Sequence, residues 1–408
     1  MNILYINHYA GSVSMGMEFR PFYFAREWKK MGHNVRIIGA TFSHLRKVNP
    51  NVIKDFEIQN IDEIEYQWIK TKTYEGNGVS RAITMFEFCS KLWINAKKIV
   101  NDFNPDVVIS SSTYPLDTFP AQRIKKIAKC KYIHETHDLW PLTLVEIGGM
   151  NKNHPFVKLL GIAEKSAYKN SDHVVGVAPN EVEYMLEHGL QNENKFTCIQ
   201  NGVVLEDWKN IEEMPLEHKK VFDKLHKENK FIVEYVGGHA LSNDLDVLIE
   251  TARLNKDNDD VAFVLIGKGV EKNRLINLAN GLNNIFFLPP VSKKQVPAVL
   301  NEADVLYIGA APCSLYRYGV SMNKVYDYMM SGKPIIYGVD AFNNDVEKFK
   351  CGITIAPQKP IEVIEAIKKY KQMTDVELKT IGNNGQDNVI KEYNYTKLSN
   401  DFLSIMYK

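Results

Sequence analysis

Lys324 and Asp327 stand three residues apart near the start of a predicted helix in the stretch 321–337. Ser321 is read as the N-cap, because its hydroxyl can accept from an amide one turn on. Val325, Tyr328 and Met329 recur at helical spacing and form a buried face. Gly332 supplies a left-handed stop, and Pro334 bars continuation. A short strand over 334–337 follows. The first helical turn presents amides without partners and Lys324, which suits a phosphate group. The i,i+3 spacing brings Asp327 to the same side. The unit fits a nucleotide, with the diphosphate at the helix start and ribose hydroxyls at the acid. A capped amphipathic helix with a solvated Lys and Asp would show the same residues.

A second cluster lies at 131–141. A predicted strand delivers His134, Glu135, His137 and Asp138 to a loop beside Trp140 and Pro141. The spacing is not that of the zinc helix, and no His, Cys, Asp or Glu cluster elsewhere has metal-ligand spacing, so no metal is expected. Titratable groups gathered at a strand end suit ligand contact, although a histidine there is often structural. Ser110 to Thr113 close another strand in the same way. Glycine-bearing turns follow further strands: Gly11 and Gly16, Gly237-Gly238-His239, and Gly267-Lys268-Gly269, with Pro289-Pro290 after the next strand. Each also reads as a tight turn. None has the G-x-G-x-x-G dinucleotide fingerprint, which weakens a dehydrogenase reading.

These loops require strands and helices in alternation. Strands are predicted near 2–7, 35–38, 106–110, within 131–141, and at 174–178, 196–199, 231–236, 261–266, 285–288, 303–308, 334–337 and 352–355, with helices between most of them. That is the doubly wound α/β pattern. Residues 41–78 read as irregular. Their Phe42, His44, Arg46, Lys47, Trp68, Lys70 and Lys72 mix aromatics with bases, which suits either a solvated loop or a membrane surface. The helix near 81–100 has apolar residues on more than one side, as core or as a docking surface. The charged, weakly periodic 206–229 reads as a linker.

A chain of 408 residues exceeds one ordinary core and implies two domains or three. The net charge of +1 argues against nucleic acid as a partner. Five scattered cysteines read as reduced thiols. No signal peptide and no spanning segment is visible, so a cytoplasmic protein is expected, with peripheral association at the inner membrane face left open.

The stretch 321–337 resembles the Asn-Lys-x-x-Glu-Tyr-Met-x-x-Gly-x-Pro helix of family 4 glycosyltransferases, retaining enzymes of the GT-B fold. Asn323, Lys324, Tyr328, Met329, Gly332 and Pro334 match, and Asp327 stands at the ribose-binding Glu. The family's preceding Glu falls at Gly319. The segment 135–141 resembles the Glu-x-Arg-Asp-Leu-Trp-Pro signature of the branch that builds O-antigen and capsule repeats, which includes fucosamine transferases. His137 replaces its Arg, at a position where other members carry a cleft histidine. His239 and Asn243 occupy the places of the family's diphosphate-binding Arg and Lys.

The resemblance implies an α/β GT-B protein with two Rossmann-like domains facing an interdomain cleft: an acceptor-side domain over 1–205, a nucleotide-sugar domain over 206–385, and a C-terminal helix over 386–408 crossing back to the first. It implies catalytic roles for His137, oriented by Asp138, and for Lys324. It implies donor contacts at Gly11, Gly16, Gly238, His239, Gly267, Lys268, Gly269, Pro289, Arg317, Ser321, Met322, Asn323 and Asp327. Glu18 and Arg20 are candidate acceptor contacts, with a surface ion pair as the plain alternative. The expected reaction moves a sugar, such as an N-acetylated deoxyhexosamine, from a UDP-sugar to a lipid-linked saccharide, with no bound cofactor. A UDP-sugar epimerase of the same architecture and a non-catalytic sugar-nucleotide-binding partner are the alternatives.

Overall fold

The computed structural model describes residues 1–17, 19–76 and 78–407; Glu18, one of the acceptor candidates, lies outside them. The chain divides into two compact units. The first holds Met1–Gln200, Arg317–Gly319 and the segment from Tyr395 on; the second holds Asn201–Tyr316 and Val320–Asn394. The boundaries thus fall at 200/201 and 394/395, against the expected 205/206 and 385/386. Helix Asp375–Glu392 belongs to the second unit, and the last helix, Tyr395–Tyr407, to the first.

Short runs of apolar residues, closed by polar or glycine turns, make the strands of the first unit. They are β1 (Asn2–Ile6), β2 (Asn34–Ala40), β3 (Glu57–Ile61), β4 (Ile64–Ile69), β5 (Val107–Ser110), β6 (Lys131–Thr136), β7 (His173–Gly176) and β8 (Phe196–Cys198). Their order is β3-β4-β2-β1-β5-β6-β7-β8, parallel apart from the β3–β4 hairpin. The chain order reverses at β1/β5, so the crevice beyond those strand ends is the place for a ligand. Helices Val79–Phe103, Thr118–Ala128 and Pro155–Asn170 cover one face, burying Phe88, Leu92, Ile124 and Leu160 against Leu4, Ile38 and Val108. Helix Tyr395–Tyr407 packs on Phe19–Lys30, where Phe402 meets the edges of Phe24 and Trp28 at 5.3 and 5.2 Å.

The second unit holds β9 (Phe231–Val236), β10 (Val261–Ile266), β11 (Ile285–Leu288), β12 (Val305–Gly309), β13 (Ile335–Gly338) and β14 (Gly352–Thr354). The order is β11-β10-β9-β12-β13-β14, all parallel, with the reversal at β9/β12.

Two expectations are corrected here. Residues 41–78 are not irregular throughout, since they contain the β3–β4 hairpin. Trp68 is fully buried, stacked on Tyr66 at 5.0 Å and lying under the Arg46 guanidinium at 5.0 Å. Arg46 itself is buried and donates to the Ala10 and Ala40 carbonyls at 2.7 and 2.9 Å. Neither side chain can meet a membrane. The 206–229 linker contains helix Leu216–Lys227, whose Phe222 and Leu225 are buried against Ile232 and Val264 of the second sheet.

Candidate functional site

The donor-side residues gather at the β9/β12 reversal. Ile266 pairs with Val236, so the turn after β10 runs beside the turn after β9. A Cβ on Gly267 would stand 1.9 Å from the Gly237 carbonyl oxygen, and one on Gly269 would stand 2.0 Å from that of His239. Only glycine permits this approach, and Gly267 also has φ +153°. The His239 amide donates to the Lys268 carbonyl at 2.9 Å. The His239 side chain is fully buried, and neither ring nitrogen has a hydrogen-bond partner among the described residues. Burial, reinforced by Lys272 and Lys324, pushes it down to about 4, so the imidazole is neutral at pH 7. Lys272 donates to the carbonyls of Gly267 and Leu288 at 2.8 and 2.7 Å, closing the turn.

Helix Asn323–Met330 follows the β12 loop. Its N-cap is Met322, which corrects the reading of Ser321. The Ser321 hydroxyl instead accepts from the Asn201 amide at 2.8 Å and contacts the Tyr326 hydroxyl at 3.1 Å. Val325, Tyr328 and Met329 are buried, and Gly332 has φ +69°. Asn323 and Lys324 occupy the first turn, where amides lack helical acceptors. The half-buried Lys324 ammonium donates to the Tyr235 hydroxyl at 3.0 Å and to Asn243 Oδ1, and lies 4.7 Å from the Tyr235 ring centre. Burial pushes it down to about 8. Among the described residues no carboxylate pairs with it. Asp327 is held by another cation: both its oxygens accept from Lys293 Nζ, at 2.7 and 2.6 Å. The Tyr328 hydroxyl ties the helix to β9 through the Val236 amide at 2.7 Å.

Other expected donor residues are occupied differently. The Gly238 carbonyl accepts from Tyr235 and Asn243 at 2.8 and 3.0 Å. The Pro289 carbonyl accepts from the His218 ring at 2.9 Å. Arg317 belongs to the first unit, where it holds Glu146 at 2.8 and 3.0 Å. Gly11 gives its carbonyl to the Tyr66 hydroxyl at 2.6 Å, and Gly16 turns with φ +81°. Position 319 is a glycine with φ +101°.

In the first unit, strand register assembles the second cluster. Ser110 pairs with His134, so Ser111 and Glu135 emerge side by side, and Tyr5 lies on the same face through Ile109 and Ile133. Glu135 is fully buried and accepts from the Ser111 hydroxyl at 2.6 Å, from Arg20 Nε at 3.0 Å and from the Tyr5 hydroxyl. Burial pushes the Glu135 carboxyl up, but Arg20, His137 and Ser111 together outweigh it and hold it well below the usual carboxylate range. His137 Nε2 lies 2.8 Å from Ser111 Oγ and 3.3 Å from Glu135 Oε2. Glu135 therefore orients His137. Asp138, expected in that role, is exposed and makes no hydrogen bond to the ring. Arg20 is no surface residue: buried, it also donates to the Ile199 and Gln200 carbonyls at 2.7 and 2.9 Å. His134 is structural, bonded to Ser110 at 2.9 Å and pushed down to about 4 by burial. Among the described residues no group of three or more His, Cys, Asp or Glu could hold a metal ion.

Sequence reasoning missed Tyr235, Lys293 and the Tyr5–Glu135 bond. Period-two alternation along β9 could have placed Tyr235; nothing local marked Lys293, which comes from the loop after β11.

Two Rossmann-like units, each with polar groups at the carboxyl ends of a parallel sheet, define the GT-B fold class. Comparison with known proteins makes the class specific. Residues 15–207 match the family described as Glycosyltransferase Family 4, and residues 230–373 match Glycosyl transferases group 1. The chain thus carries both domains of a glycosyltransferase of the GT-B type. The probable glycosyltransferase WbjE of Pseudomonas aeruginosa is 21% identical over 328 residues, which cover 78% of this chain and 77% of that protein. HepE of Anabaena, solved with UDP and glucose, has a TM-score of 0.65 at 14% identity over 100% of both chains. WaaG, a glycosyltransferase involved in lipopolysaccharide biosynthesis, has a TM-score of 0.65 at 12% identity over 99% of both chains.

Proposed function

We propose that this glycosyltransferase takes a sugar from a UDP-sugar and transfers it, with retention, to a lipid-linked saccharide of a bacterial surface polysaccharide such as O-antigen or capsule. The fucosamine-transferase-like branch and an N-acetylated deoxyhexosamine donor are the finer reading, carried by the 135–141 signature. The observation that carries the proposal is Lys324: a half-buried ammonium with no carboxylate partner among the described residues, at a helix start beside a glycine-lined turn and a buried neutral histidine. Such an amine suits an incoming diphosphate, which would supply the missing negative charge. HepE, the fold neighbour solved with UDP and glucose, makes UDP the first nucleotide to try.

In the mechanism, Lys324 and the amides of the first turn stabilise charge as it develops on the leaving diphosphate. The His239 imidazole, kept neutral, offers one N–H without adding a fixed charge. Asp327, held by Lys293, is the ribose contact. His137, aimed by Ser111 and Glu135, contacts the donor sugar or phosphate. The amine and amides serve in place of a metal ion, so EDTA should leave turnover unchanged. The donor phosphate helps remove the acceptor proton, so no separate base is needed. The site of action is the cytoplasmic face of the membrane, where a lipid-linked acceptor is presented.

The test is calorimetric binding of UDP, GDP, ADP and CMP to wild type and Lys324→Ala. Selective UDP binding, weakened by the substitution, supports the assignment. Absence of binding to all four removes it.

A further inference from the structure

Helix Phe19–Lys30 holds the chain on both sides of its passage between the units. The chain passes to the second unit after Gln200 and, apart from Arg317–Gly319, returns to the first at Tyr395. Arg20, Tyr23, Phe24, Glu27 and Trp28 are spaced as one helical face, and all five are buried. At one end of this face Arg20 Nη1 donates to the Gln200 carbonyl at 2.9 Å, and Nη2 donates to the Ile199 carbonyl at 2.7 Å. At the other, Glu27 accepts from the Thr396 hydroxyl at 2.9 Å, and Trp28 Nε1 donates to the Ser399 carbonyl at 3.1 Å. Between them the Tyr395 ring lies 4.8 Å from that of Tyr23 and 5.4 Å from that of Phe24. In the second unit the two crossing segments are paired, the Val203 amide donating to the Tyr393 carbonyl at 2.8 Å.

The Arg20 guanidinium carries a second load. Its Nε and Nη2 each lie 3.0 Å from Glu135 Oε1, and Glu135 with Ser111 aims His137. A guanidinium is planar, and its N–H groups point in fixed directions. The donors spent on Ile199 and Gln200 therefore fix the plane in which Glu135 is met. A shift of those carbonyls must tilt the plane or break a bond, and either displaces the carboxylate. There is little slack, because the Arg20 and Glu135 side chains are 6% and 0% exposed and the guanidinium lies 4.8 Å from the Phe24 ring centre. Nor can the helix slide to absorb the shift, since Tyr395, Thr396 and Ser399 pin its far end. A plain counterion for Glu135 would need none of this: a lysine supplies the charge as a point and has no fork to hold the two carbonyls.

We propose that Arg20 is a positioning residue that ties His137 to the backbone joining the two units, so that the ring is aimed only while residues 199 and 200 hold their place. The proposal rests on the reading that His137 contacts the donor, and it adds what governs that contact. Arg20 acts through Glu135. The path runs from the crossing at 200/201 to the site within the first unit, without passing through the donor-side turns after β9 and β10.

The test reads the His137 ring by nuclear magnetic resonance, in the full chain carrying isotope-labelled histidine. Neither nucleotide nor acceptor is present, so the outcome is independent of UDP binding and of turnover. The His137 signal is identified by its loss in His137→Gln. Gln200→Gly frees the backbone at the crossing and leaves the Ser111, Glu135, His137 and Arg20 side chains in place. Arg20→Lys keeps the positive charge and removes the fork. Each should shift the His137 signal, and the double variant should coincide with Arg20→Lys, because the path is already cut. The His173 signal, from a ring bonded to Thr197 at 2.8 Å, should stay fixed and show that β8 keeps its pairing. A shift in Arg20→Lys with none in Gln200→Gly would make Arg20 a structural counterion and overturn the proposal. Additive shifts, or no shift in either variant, overturn it as well. If Arg20→Lys does not fold, Gln200→Gly is compared with Gln200→Ala, which loses the same side chain but keeps a restricted backbone. A larger His137 shift in the glycine variant is then the expected result, and identical spectra overturn the proposal.

Discussion

Lys324→Met removes the ammonium in the first turn of the donor helix while keeping an unbranched chain against Tyr235. In the free protein Lys324 is pushed down to about 8 by burial, from an ordinary value of 10.5. A diphosphate placed beside it stabilises the ammonium and raises that value, so UDP binding takes up a proton in alkaline solution. For a group at about 8, the charged fraction falls from about 90% at pH 7 to about 10% at pH 9, and UDP affinity should fall about tenfold with it. The neighbours do not imitate this. The His239 ring is already neutral, and burial pushes the Tyr235 hydroxyl far above its ordinary value. Lys272, lowered by burial and held by two carbonyls, remains in the variant and serves as the internal control. At pH 7 the variant loses a charge-assisted bond of about 1.5–3 kcal/mol, or about tenfold to a hundredfold in affinity. Stability should move the other way. The cost of holding the ammonium is fully present below pH 8 and fades as pH rises toward 10.5. Lys324→Met should therefore melt higher than wild type at pH 7, with the gap closing by pH 10. Calorimetric titrations with UDP from pH 7 to 9 decide the matter. A flat wild-type profile, or an equal slope in Lys324→Met, would refute the reasoning.

Three further outcomes are expected. Glu135→Gln leaves Arg20 buried without its partner and should cost about 3–5 kcal/mol in denaturant unfolding; a loss below about 1 kcal/mol would mean that water reaches the pair. His137→Ala should lower kcat/KM about tenfold to a hundredfold while UDP affinity holds, since its proposed contact belongs to transfer and not to the nucleotide; unchanged turnover would remove it from the mechanism. Burial pushes Asp117 up to about 7 from 3.8, so between those values the unfolded chain ionises while the folded one holds its proton, and stability falls as pH rises. Asp117→Asn removes that loss, and its melting temperature should exceed wild type by a margin that grows from pH 4 to 7.

Much of this protein was legible along the chain because parallel strands buried on both faces read as unbroken apolar runs. β9, β10 and β11 lie at the residues where those runs predict them, and their ends carry the glycine turns. The helix bearing Lys324 was legible for a related reason: a buried stripe, Gly332 and Pro334 are all local signals. The β3–β4 hairpin was not. Its turn passes through Asp62 and Glu63 at φ +49° and +68°, without the glycine that marks such turns in a sequence. Only packing shows Trp68 buried between Tyr66 and Arg46 instead of exposed among lysines.

The site divides along the same line. Sequence alone determined which residue types stand at the strand ends and at the helix start, since those positions follow from local periodicity and stop signals. The tertiary structure decided which of them meet. Parallel register set Glu135, not Asp138, against Ser111 and His137, because residues on neighbouring strands share a face only once the strands are aligned. It turned Asp327 to Lys293 and left Lys324 with Tyr235 and Asn243. It also showed that one side of helix Val79–Phe103 is core and another is bare. A helix with apolar residues all round carries no local record of which of them its neighbours will cover.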